Sequence, residues 1–252
     1  MVLRFAAGVI AVLPARNISS FDFAPGQRLA GKYEVVRRLG SGWEGETYLL
    51  RERSTRVERA GKFFFPQRNA RDRSASRYAR KLHKLASCPI IVGYHTRESV
   101  DVEGVQVTFL VSEYVRGESL IELLRRQPGG RLNPFAALHF LHALAEGIEK
   151  MHRGREYHGD LHGHNIMVER FGLTFDLKLL DLYNHGPFNR RRVNDDICDM
   201  VRVFYDSLGG QRFYARQPPA IKQICCGLKR TLILKKFRTA RQLLDHLEGL
   251  EL

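Results

Sequence analysis

The stretch that decides the fold is residues 157–184, YHGDLHGHNIMVERFGLTFDLKLLDLYN. Two short polar groups lie here among apolar runs of the kind found in strands. The apolar runs on either side of Gly172 predict a β-hairpin, because glycine favours the tight turn between two strands. Since a hairpin brings its two ends together, we expect Asp160, Asn165 and Asp181 to converge at one mouth.

Two carboxylates and a carboxamide suit a hard cation, because Mg²⁺ prefers oxygen ligands and shares them with substrate phosphates. Phosphoryl transfer needs such a cation, together with a carboxylate that accepts the proton of the attacking hydroxyl. The alternative interpretation is a polar loop with a capping Asp and Asn. The preceding His158 and the flanking strands favour the catalytic interpretation.

Residues 158–165, HGDLHGHN, with the later Asp181, resemble the catalytic loop and metal-binding segment of the protein-kinase-like superfamily. They are nearer to the HGDL form of aminoglycoside phosphotransferases, lipopolysaccharide-core sugar kinases and atypical protein kinases than to the HRDLK form of typical protein kinases. The resemblance implies that Asp160 orients and deprotonates the acceptor hydroxyl, and that Asn165 and Asp181 bind Mg²⁺. His162 replaces a lysine that contacts the γ-phosphate of ATP, and would donate a hydrogen bond there or cover the metal site.

A second motif, GSGWEG at residues 40–45, lies between predicted strands and precedes a lysine in the sequence AGK. Glycines let the backbone approach phosphates closely, so that its N–H groups can bind them. A glycine hairpin turn is the alternative, but this placement is that of protein kinases rather than of dinucleotide-binding proteins. By resemblance, Gly40, Gly42 and Gly45 cover the phosphates of ATP and Lys62 holds its α- and β-phosphates.

The apolar residues of segment 70–86 recur at helical spacing and predict a helix. In the family this helix supplies a glutamate that pairs with the strand lysine. Here the expected position falls on Tyr78 or Ala79, and residues 67–95 contain no glutamate. We therefore expect Lys62 to pair with Asp181, with Asp72, or with an acid from elsewhere such as Glu98.

Residues 112–120, SEYVRGESL, resemble the kinase hinge, whose backbone hydrogen-bonds adenine. The resemblance places Glu113 and Val115 at the adenine, with the small Ser112 guarding the back pocket. Strands are predicted before it at residues 89–92 and 105–115.

Three ranges follow from these patterns: an N-terminal extension (1–26), an N-lobe (27–114) and a C-lobe (115–252). The resemblance implies an α+β fold with two lobes, in which the N-lobe is an antiparallel β-sheet plus one helix and the C-lobe is mainly helical.

The apolar run 5–13 is too short to span a bilayer, and we expect an extra strand or an ordered extension rather than a signal peptide. Asp195 is expected near the start of one C-lobe helix, and Thr239 at the start of the last.

The net charge of +14 is uneven, since residues 1–100 hold 19 Lys and Arg against 8 Asp and Glu, a difference of +11. Such a field favours an acidic partner or an anionic surface, although a solvated basic face explains it equally well. No aromatic-interleaved nucleic-acid motif accompanies the charge. The four cysteines lack metal-ligand spacing, which suits a reducing, cytoplasmic environment.

Departures from the family pattern bear on the substrate. Gly159 replaces the arginine that binds a phosphorylated activation loop, and the segment from Asp181 to Asp196 is short for a peptide platform. We predict an ATP- and Mg²⁺-dependent phosphotransferase acting on Ser or Thr of a protein. One alternative is a kinase of a small hydroxylated acceptor, such as a small molecule or a lipopolysaccharide sugar; the other is a non-catalytic pseudokinase scaffold.

Overall fold

The computed structural model describes residues 17–183 and 186–250. The predicted two-lobed α+β architecture is confirmed: an antiparallel sheet with one helix is followed by a largely helical part. The apolar run 5–13, for which an extra strand or ordered extension is predicted, lies outside the described residues. None of the helices in the described ranges combines the length and apolarity needed to cross a membrane.

Six antiparallel strands form the N-lobe sheet, in the order β1-β2-β3-β4-β6-β5. Phe63 and Phe109 stack at its centre with ring centroids 4.4 Å apart, and Tyr48 meets Phe63 edge-on. All three rings are buried, so the aromatic residues of neighbouring strands hold the sheet together on one face. The strands are β1 (Arg28–Leu29), β2 (Tyr33–Ser41), β3 (Gly45–Glu52), β4 (Glu58–Phe64), β5 (Tyr94–Val102) and β6 (Val105–Glu113).

The strand predicted at residues 89–92 is wrong. Only Ile91 makes a β-bridge there, to Leu179, and the strand begins at Tyr94 instead. The apolar residues at 90–92 are buried against the helical lobe, where Ile90 packs so closely on Gly147 that a Cβ there would lie 2.3 Å from its side chain. Apolar composition therefore marks a buried connection between the lobes, whereas the true strand β5 has no buried residue.

Residues 18–23 pack against the sheet without forming a strand. Ile18, Phe21 and Phe23 are buried, and the Phe21 and Phe23 rings stack 5.5 Å apart. The segment is joined to the sheet by Glu46, whose fully buried carboxylate accepts hydrogen bonds from the Phe21 N–H (3.2 Å) and the Tyr48 hydroxyl (2.6 Å). This segment therefore packs near the turn end of the β2–β3 hairpin, where Glu46 pairs with Ser41.

The N-lobe helix is α1, Arg73–Lys84, so the predicted helix at 70–86 is confirmed apart from its ends. Its apolar side meets the sheet through Ala75, Tyr78 and Ala79, while Leu82 packs in the core of the helical lobe. The helix joins the two lobes, since Lys84 pairs with Glu156 of the helical lobe at 2.9 Å.

The C-lobe is built on the long helix α3, whose residues on three sides are buried. Asn133 caps its N-terminus by accepting a hydrogen bond from the Ala136 N–H (2.8 Å), with Pro134 in the first turn, as the sequence predicts. The helices are α2 (Leu120–Arg126), α3 (Pro134–Arg153), α4 (Arg190–Ser207), α5 (Gln211–Tyr214), α6 (Pro219–Cys225), α7 (Arg230–Lys236) and α8 (Ala240–Glu248).

The helix predicted to start at Asp195 begins earlier, because Asn189 caps α4 by accepting from the Arg192 N–H at 3.2 Å. Thr239 caps α8 as predicted. The predicted hairpin is confirmed as β8 (Ile166–Phe171) and β9 (Thr174–Leu179), joined to the short strand β7 (Glu118–Ser119). Its open end faces the N-lobe sheet, where the candidate site lies.

Candidate active site

The catalytic loop, residues 158–165, is anchored by the carboxylate of Asp196 in α4. Asp196 is fully buried and accepts hydrogen bonds from the backbone N–H groups of His158 (2.8 Å) and Gly159 (2.9 Å). His152 Nε2 lies 3.0 Å from the same carboxylate. Burial alone would raise the pKa of Asp196, but these hydrogen bonds and the neighbouring histidines lower it. The buried, negatively charged carboxylate of Asp196 therefore holds the backbone of the catalytic loop in place.

The ring of His158 joins the two sides of the mouth. It is fully buried, and burial lowers its pKa to about 4, so the imidazole is neutral near pH 7. Its Nε2 donates to the carbonyl oxygen of Leu180 (3.0 Å), while its Nδ1 accepts from the Asp160 N–H (3.2 Å). The His158 side chain thus links Leu180, the residue before Asp181, to the catalytic loop.

Asp160, His162 and Asn165 lie together at the mouth. The Asn165 amide nitrogen donates to the backbone oxygen of Asp160 (2.9 Å) and lies 3.0 Å from His162 Nε2. The Asp160 side chain is 51% exposed, so it can reach an incoming hydroxyl, and one of its oxygens lies 3.7 Å from His162 Nε2. Because the amide nitrogen of Asn165 is used within the loop, its oxygen is the group left to ligate a cation.

Asp181 closes the mouth from the other side. Its backbone is left-handed (φ 52°), a conformation that aspartate adopts more readily than most residues. Asp181 Oδ1 accepts a charged hydrogen bond from Lys62 Nζ at 2.8 Å, across the cleft between the lobes. The lysine lowers the pKa of this carboxyl, which is therefore ionised at neutral pH. The four predicted catalytic residues and the predicted metal ligands thus share one cleft.

Lys62 has a second acidic partner, Glu44, at the tip of the loop of residues 40–45, hereafter the glycine loop. The Nζ–Oε2 distance is 3.2 Å, and the Tyr78 ring centroid lies 4.7 Å from the same nitrogen. Burial alone would lower the pKa of Lys62, but the carboxylates of Asp181 and Glu44 raise it, so the lysine remains charged. Burial in turn raises the pKa of Tyr78 to about 12, so its phenol stays neutral.

Of the acids named from the sequence, Asp181 pairs with the strand lysine and the other two are engaged elsewhere. Asp72 pairs with Arg97 (2.7 Å), and Glu98 pairs with Lys32 (2.7 Å). The sequence analysis missed Glu44, because the direction of its side chain depends on the three-dimensional course of the loop.

The glycine loop has room for a ligand at its tip and none at its base. A Cβ on Gly40 or Gly42 would meet no atom within 4 Å. A Cβ on Gly45 would lie 1.8 Å from the carbonyl oxygen of Phe63, so strand β3 can pair with β4 only if this residue is glycine. The Gly42 N–H donates to the Gly45 oxygen (2.8 Å), which closes the turn.

The hinge lies at the end of β6, where Glu113 and Val115 line a cavity of about 100 Å³. The Glu113 carboxylate accepts from the Gly93 N–H (3.0 Å) and from Lys178 (3.1 Å), and so holds the hinge to β9. Met167 of β8 lines the same cavity. The sequence analysis missed Met167, although its place directly after Asn165 and Ile166 in the hairpin could have indicated it.

The donors at the mouth fit Mg²⁺ shared with a nucleotide. Residues 17–183 and 186–250 contain no cluster of three or more His, Cys, Asp and Glu side chains that could hold a metal alone. Mg²⁺ in nucleotide sites takes one or two carboxylates or amides from the protein and the rest from phosphates and water. The Asp181 carboxylate and the Asn165 amide oxygen meet that requirement.

The profile of the protein kinase domain matches residues 33–192, more than half of the chain. The chain belongs to the protein kinase family. A serine/threonine-protein kinase of Myxococcus xanthus, pkn2, is 33% identical over 156 residues, covering 61% of this chain and 18% of its own length. PrkC of Bacillus subtilis is 28% identical over 153 residues (58% and 22%), and PknF of Mycobacterium tuberculosis 31% over 148 (58% and 30%).

This kinase chain therefore spans less than a third of the length of these relatives. The crystal structure of the PknI kinase domain of Mycobacterium tuberculosis superposes with a TM-score of 0.62 at 21% identity, over 90% of this chain and 98% of that one. The similarity confirms the kinase fold over both lobes.

A second cavity of the kinase, about 190 Å³, lies between the glycine-loop tip, α1 and residues 182–183. Its walls carry Arg68, Arg77 and Lys81. Trp43 of the loop tip stacks on the Arg68 guanidinium at 4.2 Å. Burial lowers the pKa of Lys81 to about 8, and its ammonium donates to the Tyr183 carbonyl oxygen (2.9 Å). The loop tip is thus attached to the N-terminal side of α1 by an aromatic–cation contact.

Proposed function

We propose that this kinase transfers the γ-phosphoryl group of ATP to serine or threonine of a protein. The observation that carries the proposal is the convergence of Lys62, Asp160, Asn165 and Asp181 in one cleft beneath the glycine loop. The relatives that match the chain are serine/threonine-protein kinases, which favours a protein acceptor over the small-molecule and lipopolysaccharide-sugar alternatives. Retention of all four residues disfavours the pseudokinase.

The chain's residues divide the reaction between them. Backbone N–H groups of the glycine loop and the ammonium of Lys62 bind the phosphates, and Glu113 and Val115 present hinge backbone to the adenine. Asp160 accepts the proton of the acceptor hydroxyl as its oxygen forms the new bond to the γ-phosphorus. The bond from that phosphorus to the β–γ bridging oxygen breaks, and ADP leaves. His162, 3.7 Å from Asp160, donates to the transferred group.

Asp181 and Asn165 would hold Mg²⁺, which supplies positive charge where the phosphates carry negative charge. Asp181 Oδ1 is paired with Lys62 Nζ at 2.8 Å in this structure, so the second oxygen of this half-exposed carboxylate would be the one to ligate the cation.

The decisive experiment is transfer of labelled γ-phosphate from Mg·ATP to a protein acceptor panel, with Asp160→Asn as the control. The variant keeps the shape and the backbone contacts of Asp160 but cannot accept a proton. We expect about a 10³-fold loss of transfer, because general-base catalysis contributes roughly 10²–10⁴-fold, with unchanged ATP affinity. Label only on sugars or small alcohols would refute the protein acceptor, and residual transfer near wild type would refute the role of Asp160.

We also place the reaction in the cytoplasm, where ATP and a reducing environment occur together. All four cysteines are free thiols, which suits that compartment. The exposed arginines in α1 and in the turn before it support an acidic partner or anionic surface at the N-lobe, since Arg71, Arg73 and Arg80 form no ion pair with any residue that the structure describes.

A further inference from the structure

We infer that Glu44 of the glycine loop is the positioning acid for Lys62, in the place that protein kinases give to a glutamate of the N-lobe helix. The inference rests on the proposed phosphotransfer. In this chain the carboxylate that positions the phosphate-binding lysine, Lys62, comes from the glycine loop and not from α1.

The helix offers no acid at this point. Tyr78 occupies the position that faces Lys62, with its ring 4.7 Å from Nζ, and it is a neutral partner. Among the residues that the structure describes, only Glu44 and Asp181 form ion pairs with this lysine. A lysine with 16% of its side chain exposed needs an anion close by, because a buried charge without a partner is costly.

The two acids differ in what else they must do. Asp181 is the proposed Mg²⁺ ligand, so its carboxylate would be shared between the cation and Lys62 when nucleotide is bound. Glu44 has no competing task and keeps the lysine charged and extended towards the phosphates. A carboxylate at the loop tip would repel phosphates if it faced them, but the Glu44 carboxylate is turned to Lys62, at 3.2 Å.

Two backbone and side-chain contacts fix Glu44 in that direction. Its carbonyl oxygen accepts a hydrogen bond from the Phe65 N–H (2.9 Å), which ties the loop tip to the end of β4. The adjacent Trp43 stacks on Arg68, in the segment before α1, at 4.2 Å. The loop tip is therefore held by the end of β4 and by Arg68, with the Glu44 carboxylate on Lys62.

The test removes the charge of Glu44 and then restores it from the helix. Glu44→Gln keeps the size of the side chain, and we expect kcat/KM for Mg·ATP to fall about 10- to 100-fold, the range for a lost charged hydrogen bond. Tyr78→Glu in the same background places a carboxylate at the helix position, and Tyr78→Gln is its neutral match. We expect E44Q/Y78E to recover at least tenfold over E44Q/Y78Q.

The opposite sign would overturn the inference. If Glu44 merely blocked the empty site, E44Q would bind nucleotide more tightly and react faster than the wild type. Equal activity of E44Q and the wild type, or of the two double variants, would also overturn it. Thermal unfolding midpoints within about 2 °C of each other would show that the comparison concerns the site and not folding.

Calorimetric binding of Mg²⁺ with a non-hydrolysable ATP analogue separates this inference from the proposed function. If the wild type transfers no phosphate but E44Q weakens analogue binding and Y78E restores it, the lysine contact stands and the phosphotransfer proposal fails. If the wild type transfers phosphate and E44Q binds and reacts as well as it does, phosphotransfer stands and the inference fails.

Discussion

Gly45 of the glycine loop lies at a position where no side chain fits. The residue starts β3 directly opposite Phe64, and the carbonyl of Phe63 occupies the space where a Cβ would be. Gly40 and Gly42, by contrast, stand in open space. The three glycines of one motif therefore meet different requirements: one permits strand pairing, and two leave room above the cleft.

Gly45→Ala should destabilise the kinase by about 2–3 kcal/mol, because the methyl group forces β3 away from β4 in a well-packed sheet. Gly40→Ala is the matched control and should change the free energy of unfolding by less than about 0.5 kcal/mol. Chemical denaturation of both variants measures this. Equal stability of the two would contradict the close approach of Gly45 to Phe63.

The residue scale also shows what the sequence could and could not predict. Asp160, Asn165 and Asp181 were predictable because a hairpin fixes where its ends meet. The Glu44–Lys62 pair was not, because it joins side chains whose directions depend on how the loop tip sits over β4. The hinge residues were predicted from a resemblance, whereas Met167 needed the hairpin to be placed beneath the cleft.

Helix α4 carries the aspartate that anchors the catalytic loop and a second aspartate, Asp199, whose pKa is raised. Asp196 holds the catalytic loop, and Asp199 follows three residues later in the same helix. Burial, with the nearby carboxylates of Asp196, Asp195 and Asp160, raises the pKa of Asp199 to about 7, which Arg230 only partly offsets. A carboxyl with a raised pKa binds its proton more tightly in the folded state than in the unfolded state.

This shift predicts a pH dependence of stability. The contribution of protonated Asp199 is fully present below the unfolded pKa of 3.8 and is lost as the pH rises through about 7. Asp199→Asn should therefore raise the unfolding midpoint by about 2–4 °C at pH 8, with no gain at pH 3.5. Thermal unfolding across this range checks it; a gain of the same size at both pH values would show that the amide acts by another route.

The strand β5 shows why some elements escape a sequence-based prediction. Its residues alternate between half-buried and exposed, and none is fully buried, so it lacks the apolar signal that marks a strand. The neighbouring residues 90–92 are apolar because they pack between the lobes rather than in a sheet. Apolar composition indicates burial, whereas the alternation of half-buried and exposed residues in β5 indicates a strand.

At the scale of the whole molecule, positive charge is densest in the first hundred residues of the sequence. Residues 1–100 carry +11 of the total +14, and the exposed side of α1 contributes several of these charges. Surface charges attract anionic partners over about a Debye length and are screened by salt. The N-lobe is therefore the expected contact for an acidic partner or an anionic surface.

Replacing Arg71, Arg73 and Arg80 together by glutamine should weaken binding to phosphatidylserine-containing vesicles on the order of 100-fold at low salt, since each lost charge near such a surface is worth about 1 kcal/mol. A matched triple change of exposed C-lobe cations, Arg216, Lys229 and Lys235, should have little effect. Vesicle co-sedimentation at increasing ionic strength measures both. Equal losses would indicate a response to net charge alone and would contradict the assignment to α1.

The lobes themselves were predictable, because the glycine motif, the hinge and the catalytic loop follow one another at family spacing. The docking of residues 18–23 was not, since two phenylalanines in a short polar stretch do not indicate what they cover. Their place is set by the buried Glu46, whose partners come from both sides of the hairpin.

That docking has a consequence for where the folding unit begins. The similarity to the kinase profile starts at residue 33, so a fragment cut there would look complete by homology. It would lack Ile18, Phe21 and Phe23, uncover the apolar face beneath Phe63, and leave Glu46 without the Phe21 N–H. The packed N-lobe thus starts at least fifteen residues before the profile match, and the hairpin that carries the glycine loop packs against a segment that the profile does not cover.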